Sequence, residues 1–264
     1  MLERKGRRQV LLQVKGLSKH FAGLVAVNDV SFEAREGEIL SIVGPNGAGK
    51  SVLFGLISGL IRPTYGQILL QGEEITGFKP HRIADRGIAR TFQTTALFDQ
   101  LRVVDNLAIG FRLCTAGGFW STLFHSRRWK EDKDQATARV METLQFIGLA
   151  NKAFHFVSTL SQAEQKRLSI GVALISQPKM ILLDEPTGGL IVEDTDQITD
   201  LIKRIHEQKK ISVCLIEHKM RMVMGLADRI VVLNFGSVIA EGTPAEISRN
   251  PQVIEAYLGV GQNA

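Results

Sequence analysis

"GPNGAGKS", Gly44 to Ser51, fits the spacing G-x-x-x-x-G-K-[S/T], and its reading decides the fold. It follows the apolar run "ILSIV" and opens the helix-compatible "SVLFGLISGL", so a strand leads in and a helix leads out. A phosphate cradle requires that context. Glycines at 44, 47 and 49 let the backbone turn until successive N–H groups converge on phosphate oxygens, and the helix N-terminus adds positive potential. The candidate nucleotide-binding loop is therefore Gly44, Pro45, Asn46, Gly47, Ala48, Gly49, Lys50, Ser51 and Val52. Lys50 would reach the outer phosphates, and the Ser51 hydroxyl would complete a Mg2+ shell. Val52 replaces a threonine that often donates a further hydroxyl, so binding is expected to be somewhat weaker there.

Working outward, strand-like runs recur as "SFEA", "EILSIVG", "GQILLQG", "KMILLDE", "ISVCLIE" and "RIVVLNFGSVIAEG". "ILSIVG", "MILLDE" and "SVCLIE" are nearly continuous apolar runs, the pattern of parallel strands covered by helices on both faces. "GQILLQGEEI" suits an antiparallel layer that pairs with "LLQVKGLSKHF". From about 97 to 176 the pattern turns helical, with Val140, Met141, Leu144 and Ile147 expected on one buried face. The expected fold is thus α/β: a P-loop NTPase core with a parallel sheet, a small antiparallel β subdomain and an inserted helical subdomain. The expected boundaries are 8–93 and 177–250 for the β subdomain and core, 94–176 for the helical insertion and 251–264 for a tail helix. Phe119, Trp120, Phe124 and Trp129 are read as a local cluster within a connection around 113–130.

The second half of a nucleotide site follows. "MILLDE" ends in Asp184, placed to hold Mg2+, and Glu185, placed to polarise an attacking water. His218 closes the next apolar strand, in position to meet a terminal phosphate and stabilise its charge. Gln93, in "RTFQ", precedes the helical insertion and in this context couples Mg2+ and water to it.

Composition sets the outer limits. The 264 residues are 44% hydrophobic, enough for a buried core, and carry a formal charge of +5. The cluster Arg4, Lys5, Arg7 and Arg8 contributes to that excess and is read as a solvated tail rather than a nucleic-acid site. Cys114 and Cys214 stand a hundred residues apart without metal-ligand spacing and read as free thiols in a reducing compartment. No stretch approaches the ~18 apolar residues of a membrane span.

Together these residues resemble the ATP-binding subunit of an ABC transporter. The resemblance implies Walker A at Gly44–Ser51, the Q-loop glutamine at Gln93, a signature beginning at Leu160, Walker B ending in Asp184, a catalytic glutamate at Glu185 and a switch histidine at His218. It further implies that Phe21 stacks on adenine, and that Ser51, Gln93 and Asp184 serve Mg2+. "GIARTFQTTALFDQLRVVDNL", "MVMGLADRIVVLNFGSVIAEGTPAEI" and "NPQVIEAYLG" are similar to the ATPases of branched-chain, or hydrophobic, amino-acid importers. Relatives of that type also serve urea, short amides and other small solutes. The implied assembly is a dimer with a second ATPase subunit, a heterodimer being favoured over a homodimer. Two membrane permeases and, indirectly, a secreted solute-binding protein complete it, and the chain would lie peripherally on the cytoplasmic face of the cell membrane.

The signature departs from the family pattern. "LSQAEQKR" carries Ala163 where the second glycine is usual; Ser161, Gln162, Ala163 and Glu164 are the residues offered to the partner's ATP. "SQAE" also reads as a capping box that starts a helix. An alanine methyl crowding the phosphate would cost ~1 to 3 kcal/mol, slowing the neighbour's site by roughly 5- to 150-fold. Both an asymmetric pair and an ordinary equal dimer stay open. Ile191 replaces a polar interface residue, and Lys219 replaces the usual acid after the histidine. Neither a kinase or GTPase nor a soluble cassette acting on DNA or the ribosome explains the set: the first lacks an acceptor or guanine motif, the second room for a tandem cassette. A non-hydrolysing scaffold would not need Glu185 and His218.

Overall fold

The computed structural model describes residues 8–91, 97–114 and 127–258. The chain opens with a long antiparallel hairpin, β1 (Val10–Phe21) and β2 (Leu24–Arg35). It continues through β3 (Ile39–Val43), α1 (Lys50–Ile57), β4 (Tyr65–Leu70), β5 (Glu73–Glu74), α2 (Pro80–Asp85) and β6 (Ile88–Arg90). Three helices come next: α3 (Val103–Cys114), α4 (Arg127–Phe146) and α5 (Gln162–Leu174). The core then resumes with β7 (Met180–Asp184), α6 (Val192–Lys209), β8 (Ser212–Ile216), α7 (Met220–Leu226), β9 (Arg229–Asn234) and β10 (Ser237–Gly242). Two short helices close it, α8 (Pro244–Ile247) and α9 (Pro251–Leu258).

Two sheets result. One has the order β2-β1-β4-β5, the other β10-β9-β3-β8-β7-β6. The antiparallel partnership read from the sequence is present: Leu12 faces Leu70 and Val14 faces Ile68 across β1 and β4. In the larger sheet β6, β7, β8, β3 and β9 run parallel, and β10 returns antiparallel to β9. "RIVVLNFGSVIAEG" is therefore a hairpin; Phe235 and Gly236 at its turn both have positive φ, as a two-residue turn matched to strand twist requires.

The continuous apolar runs are explained by burial on both faces. Met180 and Leu182 of β7 join Cys214 and Ile216 of β8 beneath the β1–β4 layer and α1. Their neighbours Ile181, Leu183, Val213 and Leu215 pack on the opposite side, against α5, α6 and the helical subdomain. Period-2 alternation puts successive side chains in different cores, so both faces favour apolar residues. Val140 and Leu144 of α4 and Ile147 just beyond its end are buried, but Met141 is 41% exposed, so the expected apolar face excludes it. One residue beyond Val140 is a turn of about 100°, enough to leave the stripe.

Cys214 is buried and unpaired, and burial pushes its thiol well above the usual range. Arg8 forms an exposed ion pair with Asp228 instead of trailing in solvent; Arg4, Lys5 and Arg7 lie outside the described residues. So do Phe119, Trp120 and Phe124 of the 113–130 connection and the end of the expected tail helix beyond 258. Among the described residues no helix is long and apolar enough to cross a membrane.

Candidate functional site

The site gathers at the C-terminal ends of β3, β7 and β8, where the parallel strands of an open α/β sheet deliver their loops. β3 feeds the loop 44–49 and α1 starts at Lys50. Two glycines here are dictated by space. A Cβ on Gly44 would lie 2.1 Å from the Leu233 carbonyl oxygen, and one on Gly49, where φ is +95°, would lie 2.3 Å from the Ala26 carbonyl oxygen. Ala48 is buried, whereas Asn46, Gly47 and Ser51 are exposed at the mouth.

Lys50 folds back over the loop. Its Nζ donates to the carbonyls of Gly44 (2.7 Å) and Pro45 (2.8 Å). Burial pulls its pKa down, and the carboxylates of Glu185 and Asp184 oppose that shift. The lysine thus links the loop electrostatically to the strand end that carries both acids. On the hairpin side, Phe21 is 43% exposed, with the Lys19 ammonium 4.8 Å from its ring centre. Phe21 pairs with Leu24 at the tip of β1–β2, two residues from Ala26, whose backbone crowds Gly49. Phe21 thus lies at the tip of the hairpin whose second strand passes Gly49.

Asp184 is almost wholly buried. Its Oδ2 accepts from Arg90 at 2.8 Å, while its Oδ1 has no hydrogen-bond partner. Arg90 also donates to Ser58 Oγ at 2.8 Å, tying β6 to α1. An unsatisfied carboxylate oxygen at the end of β7 and an exposed Ser51 hydroxyl at the start of α1 are the donor types of a hard cation that takes its other ligands from phosphate and water. Among the described residues there is no cluster of three metal-ligating side chains that would build an all-protein centre. Gln93 lies outside the described residues.

Glu185 and His218 meet directly: His218 Nε2 is 2.8 Å from Glu185 Oε1. Glu185 has a φ of +46°, an unusual conformation for a residue with a side chain. Hydrogen bonds hold it there: its N–H donates to Ile216 O at 3.0 Å, and its carbonyl accepts from the Gly188 N–H at 3.0 Å and Lys166 Nζ at 3.4 Å. Burial lowers the Lys166 pKa, while Glu217, Glu185 and Asp184 raise it.

The start of α5 is a complete capping box. Ser161 Oγ accepts from the Glu164 N–H at 3.3 Å, and the Glu164 carboxylate accepts from the Ser161 N–H at 3.0 Å. Two sequence expectations change here. Ala163 is 3% exposed and belongs to the core around α3, α4 and α5, so its methyl does not face a neighbouring subunit. It occupies the second position of the helix, which turns its side chain inward while Ser161 and Gln162 remain on the surface. Glu164 is likewise engaged within the chain, 2.6 Å from Lys152 and 3.8 Å from Arg167. Ser161 and Gln162 stay exposed at the start of the helix.

Arg90 and Glu217 carry little sequence signal: each is one polar residue beside an apolar run, and only "LIEH", an acid closing a buried strand as in "LLDE", points to one of them. Lys166, within "LSQAEQKR", is legible only as part of the signature. Lys219, which departs from the family pattern, donates its Nζ to Leu190 O at 2.9 Å and Thr195 Oγ1 at 2.7 Å. Ile191 and Val192, by contrast, are each 65% exposed. Tyr257 of α9 was also missed: burial raises its pKa, opposed by a hydrogen bond with the Gly44 backbone.

Comparison with known proteins identifies the family. The ABC transporter family matches residues 27–188, and a second family, described as branched-chain amino acid ATP-binding cassette transporter, matches 237–262. The high-affinity branched-chain amino acid transport ATP-binding protein LivG of Salmonella typhimurium is 41% identical over 95% of this chain and 98% of its own length. BraF, the protein so described in Pseudomonas aeruginosa, is 39% identical over 94% and 98%. Among solved structures, an ATP-binding cassette of an ABC transporter in its ADP conformation superposes with a TM-score of 0.84 at 29% identity, covering 95% of this chain and 99% of the other. A nucleotide-free cassette gives 0.82 at 28% identity, covering 96% and 100%. With the loop, the acids and the histidine on one sheet edge and relatives matched end to end, the chain belongs to the ABC transporter family of ATP-binding, ATP-hydrolysing proteins.

Proposed function

We propose that the chain powers an importer for branched-chain or other hydrophobic amino acids. The observation that carries the catalytic half is the 2.8 Å contact between His218 and Glu185 beside the Lys50 loop. The loop N–H groups and Lys50 hold the phosphates of ATP, and Phe21 covers the adenine. Glu185 orients a water for attack on the terminal phosphorus; the new P–O bond forms as the bond to the bridging oxygen breaks, giving ADP and phosphate. His218 fixes the Glu185 carboxylate and faces the charge that develops on the terminal phosphate. Asp184 and Ser51, with Gln93, would hold Mg2+, which when bound offsets charge on the outer phosphates.

Ser161 and Gln162 at the capped start of α5 serve the ATP of a second ATPase subunit, a different one in preference to a copy of this chain. Two membrane permeases convert the closing and opening of that pair into transport, and a secreted binding protein delivers the solute. The chain sits peripherally at the cytoplasmic face and engages no nucleic acid. The names of the relatives and the match over 237–262 support the solute class. Uptake of radiolabelled leucine, against urea and acetamide, by cells with and without this gene tests the assignment. Loss of leucine uptake is expected, and loss of urea or amide uptake alone would redirect the solute.

A further inference from the structure

Glu217 immediately precedes His218 and is 2% exposed. A carboxylate is tolerated at such a place only when donors meet its oxygens. Here they do. One oxygen, Oε1, accepts from the Thr187 N–H at 2.8 Å and the Thr187 hydroxyl at 2.6 Å. The other, Oε2, accepts from the N–H groups of His218 at 3.1 Å and Lys219 at 3.5 Å. One oxygen therefore holds the loop that follows Glu185, and the other holds the turn that presents His218.

Lys219 grips the same loop further along, through Leu190 O and Thr195 Oγ1. An acid and a base on either side of His218 thus clamp the 187–195 segment at two points. The geometry of Glu185 depends on that clamp. Its backbone is held at φ +46° by Ile216 at the end of β8 and by Gly188, which follows Thr187. A displacement of the loop relative to the turn would pull apart the His218 and Glu185 side chains, which now touch at 2.8 Å, and misplacements of about 1 Å suffice to cost about a hundredfold in rate.

We propose that Glu217 is a positioning residue for ATP hydrolysis, whose carboxylate sets the His218–Glu185 contact by locking the turn of one to the loop of the other. It acts through His218 and Thr187. The inference rests on the roles of Glu185 and His218 proposed above. The four groups that hydrogen-bond the carboxylate all donate to it, so glutamine, although the same shape, must aim its own N–H2 at a backbone N–H.

The test is steady-state ATP hydrolysis by the purified transporter complex containing this chain. Glu217→Gln is expected to lower kcat about 10- to 100-fold with KM for ATP changed less than about twofold. Combined with His218→Ala, it should add nothing to the loss from His218→Ala alone, because both remove one contact. A kcat within about threefold of wild type, a KM rising in step, or losses that multiply would each overturn the proposal. Thr187→Val, which removes only one of the four donors, covers the case in which Glu217→Gln fails to assemble. It should lower kcat about 3- to 10-fold at constant KM, and an unchanged kcat there would overturn the proposal as well. Glu185→Gln is the control: if it retains turnover, the underlying roles fail and the inference with them; if it alone loses turnover, only the Glu217 inference fails.

Discussion

His218 Nε2 lies 2.8 Å from Glu185 Oε1, joining the ends of the parallel neighbours β8 and β7 through their side chains. Parallel pairing of Asp184 with Ile216 places the next residues of both strands on one rim. On the proposal that the two act as a unit, Glu185→Gln and His218→Ala should each lower kcat by about 100-fold or more, and the double variant should be barely worse than either. ATP affinity should change little, because neither residue belongs to the phosphate loop. Single-turnover hydrolysis alongside fluorescent-nucleotide binding separates the two quantities; multiplicative losses would show that they act independently.

The loop glycines make different demands, and the difference is measurable. At Gly49 a Cβ meets the Ala26 carbonyl at 2.3 Å, whereas at Gly47, with φ +80°, nothing lies within 4 Å. Gly47→Ala should therefore cost about 1–2 kcal/mol of backbone strain. Gly49→Ala should cost more, because β2 must also move away from the loop. Thermal denaturation of the nucleotide-free chain is the appropriate measurement, and equal losses would mean that the Ala26 contact is unimportant.

Burial of Ala163 reverses an expectation drawn from its missing glycine. If the methyl pressed on a neighbour's phosphate, Ala163→Gly would speed hydrolysis about fivefold or more. With the methyl inside the helical subdomain, the same change should instead lower stability by about 1 kcal/mol through helix propensity alone. The thermal midpoint should fall by about 2–4 °C, with kcat altered less than about twofold. An acceleration of about fivefold would restore the crowding reading.

The contrast between these residues shows what the sequence can and cannot say. Loop, strand and acid positions were legible because each is local: "GPNGAGKS" needs only its flanks, and "MILLDE" only its apolar run. The β1–β4 pairing was legible from alternation. Ala163 was misplaced because a capping box fixes where a helix begins but not which side faces the core, which depends on the packing of α5 against α3 and α4. Arg90 and Glu217 were missed for the same reason. Their partners, Asp184 and Thr187, are 94 and 30 residues away, and nothing in the local pattern points across that distance.

Glu164 offers a test in which the sign of a pH effect is fixed by its surroundings. Burial alone would raise its pKa, but the Lys152 hydrogen bond, the Ser161 N–H and the charges of Lys152 and Arg167 together bring it below the usual carboxylate range. A carboxyl whose pKa is depressed on folding contributes stability above its unfolded pKa, about 4.3, and that contribution disappears as pH falls through the lower folded value. Glu164→Gln keeps an acceptor for the cap but not the charge. Wild type should therefore melt above the variant by a constant margin from about pH 7 down to about pH 5, and the two should converge below about pH 4. A margin independent of pH from about 7 to about 3, or no margin at pH 7, would mean that the charge of Glu164 and its ion pair with Lys152 do not supply what the residue contributes.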